Sequence, residues 1–236
     1  MYSVYSYSSL LIRLVFFIFI DYLLKNGSEV FTCATDMTKA FDLTLHSLMF
    51  SKMLEAGMTP VLVRLLIFIY SNQVANVSWN EEFSDTFSVK KGCGQGKVLA
   101  GIAYCLYCEE LFTILRRRRS GCWVQGYFRG IVGYSDDNWL LAPSLEALQD
   151  MISTCEEYAR SHNLQFSTDT DPLKCKTKCM AFLHSARPLA SMYLCGNPLP
   201  WVDKLKHLGS VISNKIDGCQ VDISHKRAQY IQKTTA

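Results

Sequence analysis

Asp136 and Asp137 stand side by side in the stretch Gly133-Tyr134-Ser135-Asp136-Asp137-Asn138. Apolar runs flank them, Gly130-Ile131-Val132 before and Trp139-Leu140-Leu141-Ala142 after. The segment therefore reads as strand, tight turn and strand, with both acids at the tip. Adjacent carboxylates repel, and a cation between them relieves the repulsion. An ordinary solvated Asp-Asp turn has the same sequence, so the pair needs a third group to acquire meaning. Asp36 is that group. It ends the β-branched and aromatic run Val30-Phe31-Thr32-Cys33-Ala34-Thr35, where a rigid sheet can aim a carboxylate. If the two strands are neighbours, Asp36, Asp136 and Asp137 can share two divalent cations, the arrangement that two-metal phosphoryl transfer requires.

Other elements must hold these acids in place. A helix is predicted over Leu43 to Ala56, with a stripe at Leu45, Leu48, Met49, Lys52 and Met53, and Gly57 as its stop. His46 and Lys52 read as solvated positions on it. Thr59 and Pro60 mark a second start, N-cap and first helical residue, for a largely buried helix over Val61 to Tyr70. Val74 to Trp79 and Phe83 to Val89 read as a hairpin around Asn80-Glu81-Glu82. A long helix follows over Val98 to Arg117, entered through Gly92, Gly94 and Gly96, which let the backbone come close to a ligand. Ser144 caps another helix, whose stripe is Leu145, Leu148, Ile152, Cys155 and Ala159 and whose end is His162-Asn163.

Composition limits the function classes. With 49% hydrophobic residues in 236, the chain can bury a core, so general disorder is excluded. A net charge of +3 and a pI near 8.3 are compatible with nucleic acid without demanding it. The ten cysteines lack paired metal-site spacing. Cys105-Leu106-Tyr107-Cys108 is a single CxxC inside an apolar helical run, so zinc is not expected and reduced thiols are. Leu10 to Ile20 is apolar but is broken by Arg13 and followed by Asp21, too short to span a bilayer. No membrane partner is expected, and the location expected is intracellular, cytoplasmic or nuclear. Arg116 to Arg119 could touch phosphates or simply end a helix in solvent.

Five blocks in order resemble one family. Asp36-Met37-Thr38-Lys39-Ala40-Phe41-Asp42 is similar to motif A of reverse transcriptases, and Tyr134-Ser135-Asp136-Asp137 to their motif C. Gly92-Cys93-Gly94-Gln95-Gly96-Lys97-Val98-Leu99 resembles motif B, Lys174 to Phe182 motif D, and His207-Leu208-Gly209 motif E. The closest likeness is to the palm region of non-LTR (LINE-type) retrotransposon reverse transcriptases. That resemblance implies an α+β fold, a palm-like antiparallel sheet with helices packed on one face. It implies an RNA template, a DNA primer and deoxynucleoside triphosphates as partners, and two Mg²⁺ ions held by Asp36, Asp136 and Asp137. It makes Lys176 a general acid for the leaving pyrophosphate, or else one of three solvated loop lysines. It makes Phe41 the aromatic that blocks a 2′-hydroxyl, or else a core residue at a helix start. Gln95, Gly96 and Tyr134 complete the substrate-binding set.

The chain also departs from the family. Gly94 stands where an Arg usually precedes Gln-Gly, and Ala100-Gly101 where Ser-Pro usually follows Val-Leu. Only 35 residues precede Asp36 and 27 follow Gly209. The resemblance thus implies a partial copy with fingers and thumb truncated: an atypical segment over 1–20, a palm-like domain over 21–212, and a tail over 213–236 that begins a thumb. Two functions stay open, an RNA-directed DNA polymerase and a non-catalytic or nucleic-acid-binding remnant. Oligomeric state is not legible.

Overall fold

The computed structural model describes residues 9–94, 99–134, 136–207 and 210–214 of the chain. Helix α1 (Ser9–Lys25) and strand β1 (Val30–Thr35) are followed by helices α2 (Ala40–Leu43), α3 (His46–Glu55) and α4 (Pro60–Ser71). Four two-residue strands come next, β2 (Val74–Ala75), β3 (Ser78–Trp79), β4 (Glu82–Phe83) and β5 (Phe87–Ser88), then helix α5 (Ala100–Arg118). Strands β6 (Trp123–Val124), β7 (Tyr127–Phe128), β8 (Ile131–Tyr134) and β9 (Asp137–Ala142) precede helix α6 (Leu145–Ser161). The last elements are strands β10 (Lys178–Phe182), β11 (Met192–Leu194), β12 (Asn197–Leu199), β13 (Lys204–His207) and β14 (Ser210–Ser213). The chain divides into two compact units, one within Met1–Met37, Thr113–Glu157 and Phe166–Ala236, the other within Thr38–Phe112 and Tyr158–Gln165.

The first unit is built on a four-stranded antiparallel sheet in the order β10-β1-β9-β8. Strand β1 is buried at all six positions because it is central and covered above and below. On the face carrying Val30, Ala34, Trp139 and Met180 sits α1, which presents Phe16, Ile20 and Leu23. The Phe16 ring lies 4.7 Å from that of Trp139 and 6.1 Å from that of Phe182. Helix α1 thus buries Phe16, Ile20 and Leu23 of this apolar stretch in the core and leaves Leu14 and Ile18 exposed. No helix among the described residues is long and apolar enough to cross a membrane. On the opposite face, Cys155 of α6 comes close enough to Cys33 to help raise its thiol pKa, after the larger effects of the neighbouring Cys179 and of burial. The N-cap assignment of Ser144 holds, its Oγ accepting from the Ala147 N–H at 3.1 Å.

The second unit holds α2, α3, α4 and the small strands. Helix α3 starts at His46, not Leu43, because Leu45 is extended (φ −77°, ψ 124°) and Ala40–Leu43 is a separate turn. Lys52 is no solvated position: its side chain is 13% exposed and pairs with Glu110 at 2.8 Å and Glu55 at 3.0 Å. His46 likewise turns inward, its Nε2 2.9 Å from the Gly92 carbonyl and its ring edge-on to Tyr70. Thr59 takes the N-cap position and Pro60 the first helical one, with no side-chain cap bond. Helix α4 is not largely buried. Only Val63, Leu66 and Tyr70 are inside, while Val61, Leu65 and Phe68 are more than half exposed. Its apolar composition on every side conceals which face packs. The predicted hairpin forms, tightened to the two-residue turn Asn80-Glu81, both at positive φ.

Candidate active site

The carboxylates meet through strand register. Strand β8 pairs with β9 so that Tyr134 faces Asp137, which leaves a two-residue turn containing Asp136. Strand β1 pairs with β9 down to Thr35 opposite Asn138. Asp36 follows directly on that last pair and Asp137 directly precedes it, so both lie at one end of the sheet, close enough to repel each other. On the other side β1 pairs with β10 down to Ala34 opposite Lys178. Lys176, two residues before β10, brings its Nζ to 4.0 Å from Asp36 Oδ2. Lys176, Asp36 and Asp137 thus gather where three neighbouring strands end.

Their electrostatics follow from crowding. Burial raises Asp137 most, Asp136 and Asp36 add like-charge repulsion, and its pKa reaches about 6. Asp36 is also raised, by burial and by Asp136, against the opposing pull of Lys176 and of the Ser167 hydroxyl. The side chains of Asp36 and Lys176 are 33% and 70% exposed, so the lysine meets the acid from solvent.

Asp36 is held by more than its strand. Its N–H donates to Thr177 Oγ1 at 3.2 Å, and its carbonyl accepts from the Ser167 N–H at 2.8 Å. An antiparallel bridge between Met37 and Phe166 continues the contact. Neither Ser167 nor Thr177 stood out in the sequence, since nothing local marks a serine and a threonine that serve a residue 141 positions away from the threonine.

Phe41 lies in the second unit, half-buried, its ring 4.9 Å from that of Tyr104. Gln95 and Gly96 lie outside the described residues, as do Leu208 and Gly209. Gly92 serves a local purpose. Its N–H donates to the Thr44 carbonyl and Cys93 donates to that of Phe41. At φ +95° a Cβ there would sit 3.2 Å from the backbone of Asp42 and Phe41. The glycine thus seats this loop on the segment after Asp36, the close approach being to protein. In the run of arginines, Arg118 bonds Asp150 at 3.0 Å and Glu157 at 3.4 Å, so it is partly engaged in the fold.

Among the described residues no three His, Cys, Asp or Glu side chains are grouped closely enough to hold a metal ion as they stand. The donors at the row of acids are nevertheless hard carboxylate oxygens under mutual repulsion, the type that Mg²⁺ and Mn²⁺ take.

Comparison with curated proteins finds no match. Among solved structures, apo telomerase from Candida tropicalis, truncated from its C-terminal domain, superposes with a TM-score of 0.60 at 12% identity. The match covers 88% of this chain and 38% of that one. Telomerase from Candida albicans, in complex with a TWJ fragment of telomeric RNA, gives a TM-score of 0.60 at 12% identity, with 88% and 33% covered. The chain thus spans about a third of the length of these structures, and the likeness is one of fold, a polymerase palm with mixed helices and antiparallel strands. The family model for reverse transcriptase (RNA-dependent DNA polymerase) matches residues 4–212, most of the chain, and the chain belongs to that family.

Proposed function

We propose that this chain is the catalytic palm of a non-LTR retrotransposon reverse transcriptase, extending a DNA primer on an RNA template. The observation that carries the reading is the meeting of Asp36 and Asp137 at the end of two adjacent strands, with Lys176 beside Asp36. The non-LTR assignment rests on the wording of the five blocks, above all Tyr134-Ser135-Asp136-Asp137 and His207-Leu208-Gly209. The palm-like domain is assigned to 21–212, with 1–20 and 213–236 as flanking segments, in an intracellular protein.

The family depends on divalent metal in general. Asp36, Asp136 and Asp137 would hold two Mg²⁺ ions, which when bound supply Lewis-acid charge stabilisation at the transferring phosphoryl group. The chain's own residues supply the rest. Sheet register fixes Asp36 and Asp137, and the turn carries Asp136 beside them. Lys176 is exposed enough to reach the leaving pyrophosphate and hands it a proton as a general acid. Phe41 bars the 2′-hydroxyl and so selects deoxynucleotides. Family likeness assigns the nucleotide and template contacts to Tyr134, Gln95 and Gly96.

The test is addition of deoxynucleotides to a DNA primer annealed to RNA, with Mg²⁺, using the full chain. Template-directed extension is expected, and Phe41→Ala is expected to admit ribonucleotides. A second reading, a non-catalytic remnant, is favoured by Gly94 and Ala100-Gly101, which replace the family's Arg and Ser-Pro. Folded protein that extends no primer supports the remnant.

A further inference from the structure

Asp36 stands where β1 leaves the sheet, so its backbone lacks the ladder bonds that hold Val30–Thr35. Three hydrogen bonds replace them, and they close on themselves. The Asp36 N–H donates to Thr177 Oγ1 at 3.2 Å. The Thr177 N–H donates to the Ser167 carbonyl at 3.2 Å, and the Ser167 N–H donates to the Asp36 carbonyl at 2.8 Å. Thr177 is fully buried, and its own carbonyl accepts from Cys175 Sγ at 3.0 Å. Only Ser or Thr at 177 can offer an acceptor at this distance with a side chain this short.

We propose that Thr177 and Ser167 are positioning residues for Asp36, a closed hydrogen-bonded cycle that aims its carboxylate for metal binding. The inference rests on the reading of Asp36 and Asp137 as metal-holding carboxylates. Outer-shell partners of metal ligands fix ligand orientation, and their loss characteristically lowers metal affinity by roughly 10–100-fold. Thr177 is also the chain neighbour of Lys176. One short segment therefore sets both the acid and the cation that faces it.

The experiment is Mn²⁺ titration of the full chain, followed by the electron paramagnetic resonance of free Mn²⁺, well below the unfolding temperature of each variant. Asp137→Asn reports whether the acids bind the ion at all. Thr177→Val keeps the shape and removes the acceptor; affinity is expected to fall by about 10-fold. Thr177→Ser is expected to restore it, which a merely space-filling threonine would not require. Ser167→Pro, which removes the N–H that the Asp36 carbonyl accepts from, is expected to weaken binding several-fold and serves if Thr177→Val does not fold. Wild-type affinity in both Thr177→Val and Ser167→Pro, beside loss in Asp137→Asn, overturns the positioning role alone. Affinity that is unchanged in Asp137→Asn overturns the reading of the acids, and the positioning role with it.

Discussion

Asp36 and Asp137 adjoin Thr35 and Asn138, the pair that ends the β1–β9 ladder, and repel each other there. The sheet creates the site by stopping there. Up to that point each opposed pair is apolar or neutral and buried; where the ladder ends, two acids come together. Four consequences follow from this placement and from what supports it.

The first concerns pH. Asp137 has a folded pKa of about 6 against an ordinary value of 3.8, so the folded state holds a proton that the unfolded chain has released between those values. Stability must then fall as pH rises from about 4 to about 6 and remain lower above. Asp137→Asn removes this loss. Its melting temperature is expected to exceed that of the wild type by roughly 2–4 °C at pH 7.5, with the gap closing below pH 4. Thermal unfolding across pH, without divalent metal, measures it.

Lys176 separates a chemical role from a structural one. It is mostly exposed at 4.0 Å from Asp36, so the pair adds little to stability. Lys176→Met is expected to change unfolding free energy by less than about 0.5 kcal/mol. Single-turnover nucleotide addition is expected to slow by roughly 100-fold, as loss of a general acid does. Chemical denaturation and rapid-quench kinetics on the same preparation check both.

Gly133 tests the tightness of the acid hairpin. A Cβ at that position would lie 1.9 Å from Asn138 Oδ1, on the residue directly opposite. Asn138 is 3% exposed and has little room to yield. Gly133→Ala is expected to cost about 1–3 kcal/mol, and adding Asn138→Ala is expected to recover most of it. Denaturant titration of the single and double variants measures the coupling.

Phe16 tests the support beneath the site. It is 1% exposed and packs against Trp139, two residues from Asp137, the rings tilted by 55°. Phe16→Ala is expected to destabilise the chain by about 3–5 kcal/mol. An effect under 1 kcal/mol would show that α1 is not part of the core.

The site was more legible in the sequence than its supports. A strand running up to Asp36 and a hairpin carrying two acids are local patterns, and turn chemistry and alternation give them away; only Asp136 stays in the turn, while Asp137 pairs with Tyr134 in β9. Lys176 was singled out by family likeness, and nothing in the sequence put it beside Asp36. The cycle through Ser167 and Thr177 was invisible, because it joins residues 141 apart and nothing local marks the threonine whose hydroxyl closes it. Lys52 was misjudged for a related reason: its partner Glu110 lies on a different helix. Helix α4 was misjudged because residues apolar all round do not reveal which side packs, and Val61 and Phe68 remain exposed.

The most direct test is primer extension on an RNA template with Mg²⁺ and deoxynucleotides, run with the wild-type chain beside the Asp136→Ala, Asp137→Ala double variant. Extension by the wild type that vanishes in the double variant is the predicted result. Extension that survives in the double variant, or no extension from a folded wild-type chain, contradicts the assignment of these acids as a working polymerase centre.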